Sequence, residues 1–136
     1  EGASFAIRHV IEILETNNGV DIEELRIGGA AASSQVWNQM ISDILGKKVI
    51  SLTQSHTEVL GAAILAGVSQ GVYPDLFQAI GNIVVPGREF EPNIEAHTAY
   101  NRLFPMFKKL YPEVQHHFEE LARMDLPQVW ITRENR

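Results

Sequence analysis

The sequence predicts an α/β fold that is rich in helix and has few strands, and three observations carry that prediction. Apolar residues recur at i, i+3, i+4 and i+7 in several stretches, which is the pattern of a helix with one face on a core. Two short stretches between them alternate apolar with polar residues or carry β-branched ones, as strands do. The two kinds follow each other in the order α, β, α, β, which argues for a parallel-leaning sheet covered by helices.

Ile7, Val10, Ile11 and Leu14 mark the first helix, and Asn17-Asn18-Gly19 ends it with residues that tolerate a left-handed backbone. Residues 24–28, Glu-Leu-Arg-Ile-Gly, read as a strand running into a turn of small residues, Gly28 to Ala32. Ser33 or Ser34 can cap the next helix, whose stripe is Trp37, Met40, Ile41, Ile44 and Leu45 and whose stop is Gly46. Lys48 to Leu52 reads as the second strand. A helix over Glu58 to Gln70 is apolar nearly all round, so it is expected to be buried. Asp75 can cap a short helix carrying Leu76, Phe77 and Ile80. Residues 84–92, with Pro86, Gly87 and Pro92, are expected to form a connecting loop. A last helix starts near Asn93, and Pro105 and Pro112 should kink or restart it, because neither can donate an interior backbone bond. The tail at 125–136, with Pro127 and Trp130, receives no assignment. Only two strands are visible, too few for so many helices, and the chain opens on Glu1-Gly2-Ala3 already near a helical pattern. It is expected to be cut from something longer, with further strands upstream.

Composition narrows the function classes. The 136-residue chain has a formal charge of −6 and lacks the basic footprint that nucleic acid or an anionic membrane surface requires, so neither is an expected partner. It contains no cysteine, which excludes disulfides and thiolate zinc sites. No apolar run is long enough to span a bilayer and no signal peptide opens the chain, so the sequence reads as soluble and cytoplasmic.

The stretch most open to a ligand is the turn from Gly28 to Ala32. Bare backbone permits close contact, and a following helix points free amides outward. The same small residues would also let the helix pack tightly on the strand, and the turn alone does not decide between the two. It is neither the G-x-G-x-x-G dinucleotide fingerprint nor a P-loop, since no G-K-[ST] is present. Ser33 and Ser34 read as caps or as hydrogen-bond partners of a bound ring, and Trp37 reads as core. The five histidines, His9, His56, His97, His116 and His117, show no metal-ligand spacing. Glu23-Glu24 and Glu119-Glu120 read as solvated faces, and no Ser-His-Asp arrangement can be assembled.

Several stretches taken in series resemble one family. "LRIGGAAASSQVWNQMISDILGKKV" resembles the adenosine motif of the FGGY carbohydrate kinases: a strand, a Gly-Gly-Ala turn and a helix ending in Asp-x-x-Gly. "EVLGAAILAGVSQGVYPDLFQAI" is similar to that family's Leu-Gly-Ala-Ala helix and the segment after it, and "FEPNIEAHTAYNRLFPMFKKLYPEV" to its closing Phe-x-Pro helix. Glu1-Gly2-x-x-Phe5 matches the helix that ends another of its signatures. Trp37 after the turn is a feature shared with the xylulokinase-like branch, among others.

The resemblance implies the C-terminal part of a ribonuclease-H-like domain of the actin, Hsp70 and hexokinase superfamily. On this reading residues 1–124 form the C-terminal portion of the nucleotide-side domain, and 125–136 are a tail. The implied activity is ATP-dependent phosphorylation of a sugar or polyol hydroxyl. ATP and Mg2+ are the implied cofactors, with the metal ligands expected outside this chain and the sugar held mainly by an N-terminal domain upstream. The family's adenine and ribose contacts fall on Gly29 and Ser33, with Gly28, Ala30, Ala32 and Asn38 lining the same place. Most relatives carry a third glycine or a larger polar residue where Ala30 and Ala32 stand. They often carry a glutamate at the position of His56, whose role Glu58 could take. The catalytic base belongs upstream, so no catalytic residue is nominated, and the chain alone is expected to be inactive. A non-catalytic nucleotide-binding or assembly domain of the same superfamily is the alternative, and a helical interaction module is the third reading. Association through an exposed sheet, a homodimer included, is left open.

Overall fold

The computed structural model describes residues 1–124, so the tail at 125–136 lies outside the described residues. The elements follow in the order α1 (Gly2–Asn18), β1 (Glu24–Ile27), a 3-10 turn (Ala30–Ser33), α2 (Gln35–Leu45), β2 (Lys48–Leu52), α3 (Thr57–Ser69), α4 (Leu76–Ile83), β3 (Pro86–Phe90) and α5 (Ile94–Arg123). The sheet has the order β1-β2-β3; β1 and β2 are parallel, and β3 runs antiparallel to β2.

The core forms where three helices meet the central strand. Ile41, Ile44 and Leu45 of α2 pack with Val49 of β2, Phe90 of β3, Phe5 of α1 and Phe104 of α5. Burying side chains of this size contributes about 1.5–3 kcal/mol each, so the α2 stripe is a main source of stability. The rings of Phe5, Phe104 and Phe107 form a triangle, with Phe5 6.0 and 5.4 Å from the other two and those two 6.4 Å apart, centroid to centroid. Arg8 on α1 ties the same region together: its guanidinium sits 4.1 Å above the Phe104 ring and donates 2.9 Å to the Ile44 carbonyl. Trp37 takes its expected place at the core margin, and its indole N–H donates 3.0 Å to the Oγ of fully buried Ser4.

Local signals set the helix ends. Asp75 and Asn93 accept from the backbone N–H three residues on, at Gln78 and Ala96, satisfying donors that the helix leaves free. Gly46 ends α2 at φ 68°, and the His97 ring packs so closely on it that any side chain there would run into the imidazole. His97 Nδ1 also lies 2.8 Å from the Asp43 carbonyl, which fastens α5 to the end of α2.

The structure departs from the sequence expectation in three places. The expected loop at 84–92 contains β3. Pro86 opens that strand at the sheet edge, where a missing donor costs little, and the register shifts between Ile50 and Leu52. Ser51 stands at the shift: its hydroxyl accepts from the Arg88 N–H at 3.0 Å and donates to the Arg88 carbonyl at 3.1 Å. The second departure is α5, a single helix of 30 residues that runs through both Pro105 and Pro112. Both prolines are exposed, so water can serve the carbonyls whose donors they remove. The third is α3, which was expected to be buried. Ile64 is its only buried residue, and Val59 and Leu65 are 70 and 60% exposed. Among the described residues α3 packs chiefly on α4, across an apolar groove of about 370 Å³ lined by Leu60, Ile64, Leu76, Ile80 and Val84. Among the described residues no helix is long and apolar enough to cross a membrane.

Candidate functional site

Ile27 at the end of β1 pairs with Ser51 near the end of β2, so the loops leaving these two parallel strands emerge side by side. That edge, outside the carboxyl ends of parallel strands, is where α/β sheets leave room for ligands. The small-residue turn occupies it, and its members are small for different reasons.

Gly28 is small because of packing. A Cβ placed there would lie 2.5 Å from Cγ2 and 3.1 Å from Oγ1 of Thr57, the first residue of α3. Gly29 is small because of its backbone: φ 79° and ψ −170° lie in a region essentially restricted to glycine. A Cβ on Gly29 would meet nothing nearer than Glu58 Oε1 at 3.7 Å and Thr57 Oγ1 at 3.8 Å. The chain then closes one tight 3-10 turn, with the Ala32 N–H donating to Gly29 O and the Ser34 N–H to Ala31 O, both at 3.1 Å.

The two serines divide their work. Ser34 caps α2, its Oγ accepting from the Trp37 N–H at 3.3 Å. The Ser33 hydroxyl donates 2.7 Å to the Ala30 carbonyl and is exposed, as is Ala30. Asn38 braces the turn from beneath. It is fully buried, and its Nδ2 donates 2.8 Å to the Ala32 carbonyl. Its Oδ1 is buried with no partner, and a buried acceptor left without a donor carries a desolvation cost.

Among the sequence-nominated positions, Gly28, Gly29, Ala30 and Ser33 therefore share one continuous turn, with Ala30 and Ser33 presented outward and Gly29 and Asn38 beneath them. Thr57 and Glu58 join them from α3. Thr57 could not have been found from the sequence, since nothing in its local pattern marks contact with a turn some thirty residues earlier. The N-terminus of α2 carries no acid in its first turn, so its positive end faces this edge uncompensated by its own side chains. His56 stands at the N-cap of α3 without a side-chain cap bond. Among the described residues no three His, Asp or Glu side chains come together as a metal site would require.

Residues 1–70 match the family model described as "FGGY family of carbohydrate kinases, C-terminal domain". The chain belongs to that family. Its relatives include a glycerol kinase of Clostridium perfringens, 34% identical over 80% of this chain and 21% of that protein. A glycerol kinase of Rhodopirellula baltica is also 34% identical, over 75% of this chain and 19% of that protein. Two solved structures share the fold. The ligand-bound xylulose kinase of Lactobacillus acidophilus superposes with a TM-score of 0.69 at 18% identity, covering 85% of this chain and 24% of that one. The xylulose kinase of Rhodospirillum rubrum gives 0.68 at 22% identity, covering 86% and 24%. The helix-rich arrangement with its small sheet is thus the fold of FGGY sugar kinases, as the motifs implied. The chain spans about a fifth of the length of the curated relatives it matches.

Proposed function

We propose that this FGGY chain supplies the adenine-binding wall of an enzyme that transfers phosphate from ATP to a hydroxyl of a sugar or polyol. On this proposal residues 1–124 are the C-terminal portion of its nucleotide-side domain and 125–136 a tail. The catalytic base, the phosphate-holding loops and the principal sugar contacts lie in sequence preceding residue 1, and the enzyme works in the cytoplasm.

The observation that carries the proposal is the turn at the carboxyl end of β1. It holds Gly29 in a glycine-only conformation while leaving the Ala30 methyl and the Ser33 hydroxyl exposed at the edge. A flat base needs such a wall, because only backbone and methyl groups let its ring approach within van der Waals distance. Glu58 beside Gly29 gives the site a direction. A carboxylate there accepts hydrogen bonds from ribose hydroxyls or an exocyclic amine and repels phosphate, so the base and ribose rest here and the phosphates point away. ATP supplies the transferred phosphoryl group and Mg2+ would neutralise its developing charge. The proposal gives Mg2+ no ligand among the described residues.

The test is a titration of ATP and ADP by calorimetry, on the chain and on an Ala30→Trp variant. Ala30 is exposed, so the indole fills the wall without entering the core. Saturable adenine-nucleotide binding that Ala30→Trp abolishes, at unchanged melting temperature, is the expected result. Nucleotide binding that survives the substitution refutes the assignment. A phosphorylation screen of the full-length enzyme against ketoses, aldoses and polyols identifies the acceptor. Residues 1–136 alone should transfer no phosphate in the same assay.

A further inference from the structure

The apolar seam of α5 outruns the elements that cover it. Tyr100, Phe104, Phe107, Tyr111, Val114, Phe118 and Leu121 follow one another at alternating steps of four and three, which keeps them on one side of the helix. The first three pack on the core, and Phe5 of α1 lies against them. The last four are each at least 41% exposed. Where the covered half gives way to the bare half, α1 and α5 leave between them a groove of about 400 Å³, with Val10 and Ile13 on one wall and Leu110 and Tyr111 on the other. A surface helix that is apolar on one side needs something to bury that side against.

We propose that the occupant is this chain's own segment 125–136, which folds back along α5 and seats Trp130 against Val114 and Tyr111 at the mouth of that groove. The segment starts in the right place. Met124 closes α5 with an extended backbone, φ −73° and ψ 127°, which takes the chain off the helix axis, and Pro127 follows within three residues. Its length matches the bare half of the seam. The six residues from Met124 to Trp130 reach about 20 Å at full extension, and α5 covers the thirteen residues between Tyr111 and Met124 in about the same distance. Its composition matches as well. The part that travels over bare helix contains Leu126, Pro127, Val129, Trp130 and Ile131, whereas Thr132 to Arg136, which come after it, are polar or charged. The apolar run therefore stops where the seam is already covered by α1. Being tethered, the segment meets the seam at an effective concentration of about millimolar, which favours it over a partner in solution.

Fluorescence of Trp130 in the full chain tests the proposal. Trp37 is the other tryptophan, so Trp37→Phe leaves Trp130 as the sole reporter. Subtracting the spectrum of Trp130→Phe from that of the wild type gives the same signal with Trp37 in place. Trp130 should emit to the blue of its value in urea, and acrylamide should quench it several-fold less than in urea. Val114→Glu, and Phe118→Gln as a second variant on the same exposed stripe, should return both readings to the urea values with the helical circular dichroism unchanged. His116→Glu puts a carboxylate on the opposite side of the helix and should alter neither reading. A Trp130 as red and as quenchable in the native chain as in urea overturns the proposal. Protection that survives both stripe variants overturns it too, because Trp130 then rests elsewhere. Protection that fades on dilution through the micromolar range also overturns it and assigns the contact to a second copy.

Discussion

Gly28→Ala separates the packing role of the turn from its backbone role. The added methyl would lie 2.5 Å from Thr57 Cγ2 and 3.1 and 3.2 Å from its Oγ1 and Cβ. Comfortable carbon contacts fall near 3.5–4.0 Å, so the methyl intrudes by roughly 1 Å. Gly28 is not among the glycines with positive φ, so the backbone itself accepts alanine. Thr57 is β-branched and opens α3, so it has few rotamers to retreat into, and the turn or the start of the helix must shift. Overpacking of this kind costs about 1–3 kcal/mol, offset by roughly 0.4–1 kcal/mol from stiffening the unfolded chain, which leaves a net loss of about 1–2 kcal/mol. Thr57→Ala removes Cγ2 and Oγ1 and leaves only the Cβ contact. In that background the penalty of Gly28→Ala should shrink by about 1 kcal/mol, a coupling of the size that touching residues show. A double-mutant cycle by urea denaturation measures it. The same penalty in both backgrounds would refute the argument that Thr57 is what keeps position 28 bare.

Three further outcomes follow from the site and its surroundings. Gly29→Ala should cost about 1–3 kcal/mol in the same denaturation assay with no contact to relieve it, because φ 79° and ψ −170° penalise any Cβ; a neutral effect would mean the turn relaxes freely. Asn38→Ala should cost about 1–3 kcal/mol by leaving the Ala32 carbonyl without its donor. Asn38→Asp should cost more, with a deficit that grows as pH rises, because the buried carboxyl must then ionise beside a carbonyl; a pH-independent deficit counts against that picture. Glu15 supplies a pH test away from the site. Hydrogen bonds from Lys47 and from the Ile22 N–H, at 2.8 and 3.0 Å, hold its carboxyl below the ordinary range. A lowered folded-state value means its stabilisation is fully present above about pH 4.3 and is lost as pH falls through the folded value. Glu15→Gln should therefore flatten the acid limb of the stability profile, and matching limbs in the two proteins would count against the contribution.

Legibility in the sequence followed how local the cause was. The α2 stripe, its serine cap and its glycine stop were all readable, because periodicity, caps and left-handed glycines act within a few residues. β3 was hidden because Pro86 and Gly87 are turn residues by habit, and only the neighbouring β2, with Ser51 inserted at the register shift, makes them an edge strand. Continuous α5 was hidden for a related reason: the rule against interior proline assumes that nothing compensates, whereas here packing of Tyr100, Phe104 and Phe107 holds the helix on the core. The all-round apolar pattern of α3 states a need for burial without saying which element meets it. At the site, the turn was legible as small but not as two kinds of small, since Thr57 crowds Gly28 from a distant part of the chain and the torsion of Gly29 leaves no trace in composition. Asn38 was legible as a neighbour of the turn, while its role as a brace depends on the fold that buries it.

The two prolines of α5 also have a mechanical meaning. Each removes one amide donor, so the carbonyls of Asn101 and Lys108 have no partner one turn on, and the helix is softest at those two points. The prolines are seven residues apart, so both soft points lie on nearly the same side of the rod and hinge about nearly the same axis. The Asn101 point lies inside the stretch that Tyr100, Phe104 and Phe107 fix on the core, so bending is left to the Lys108 point, and the exposed segment beyond it can lean without disturbing the packing of Phe104.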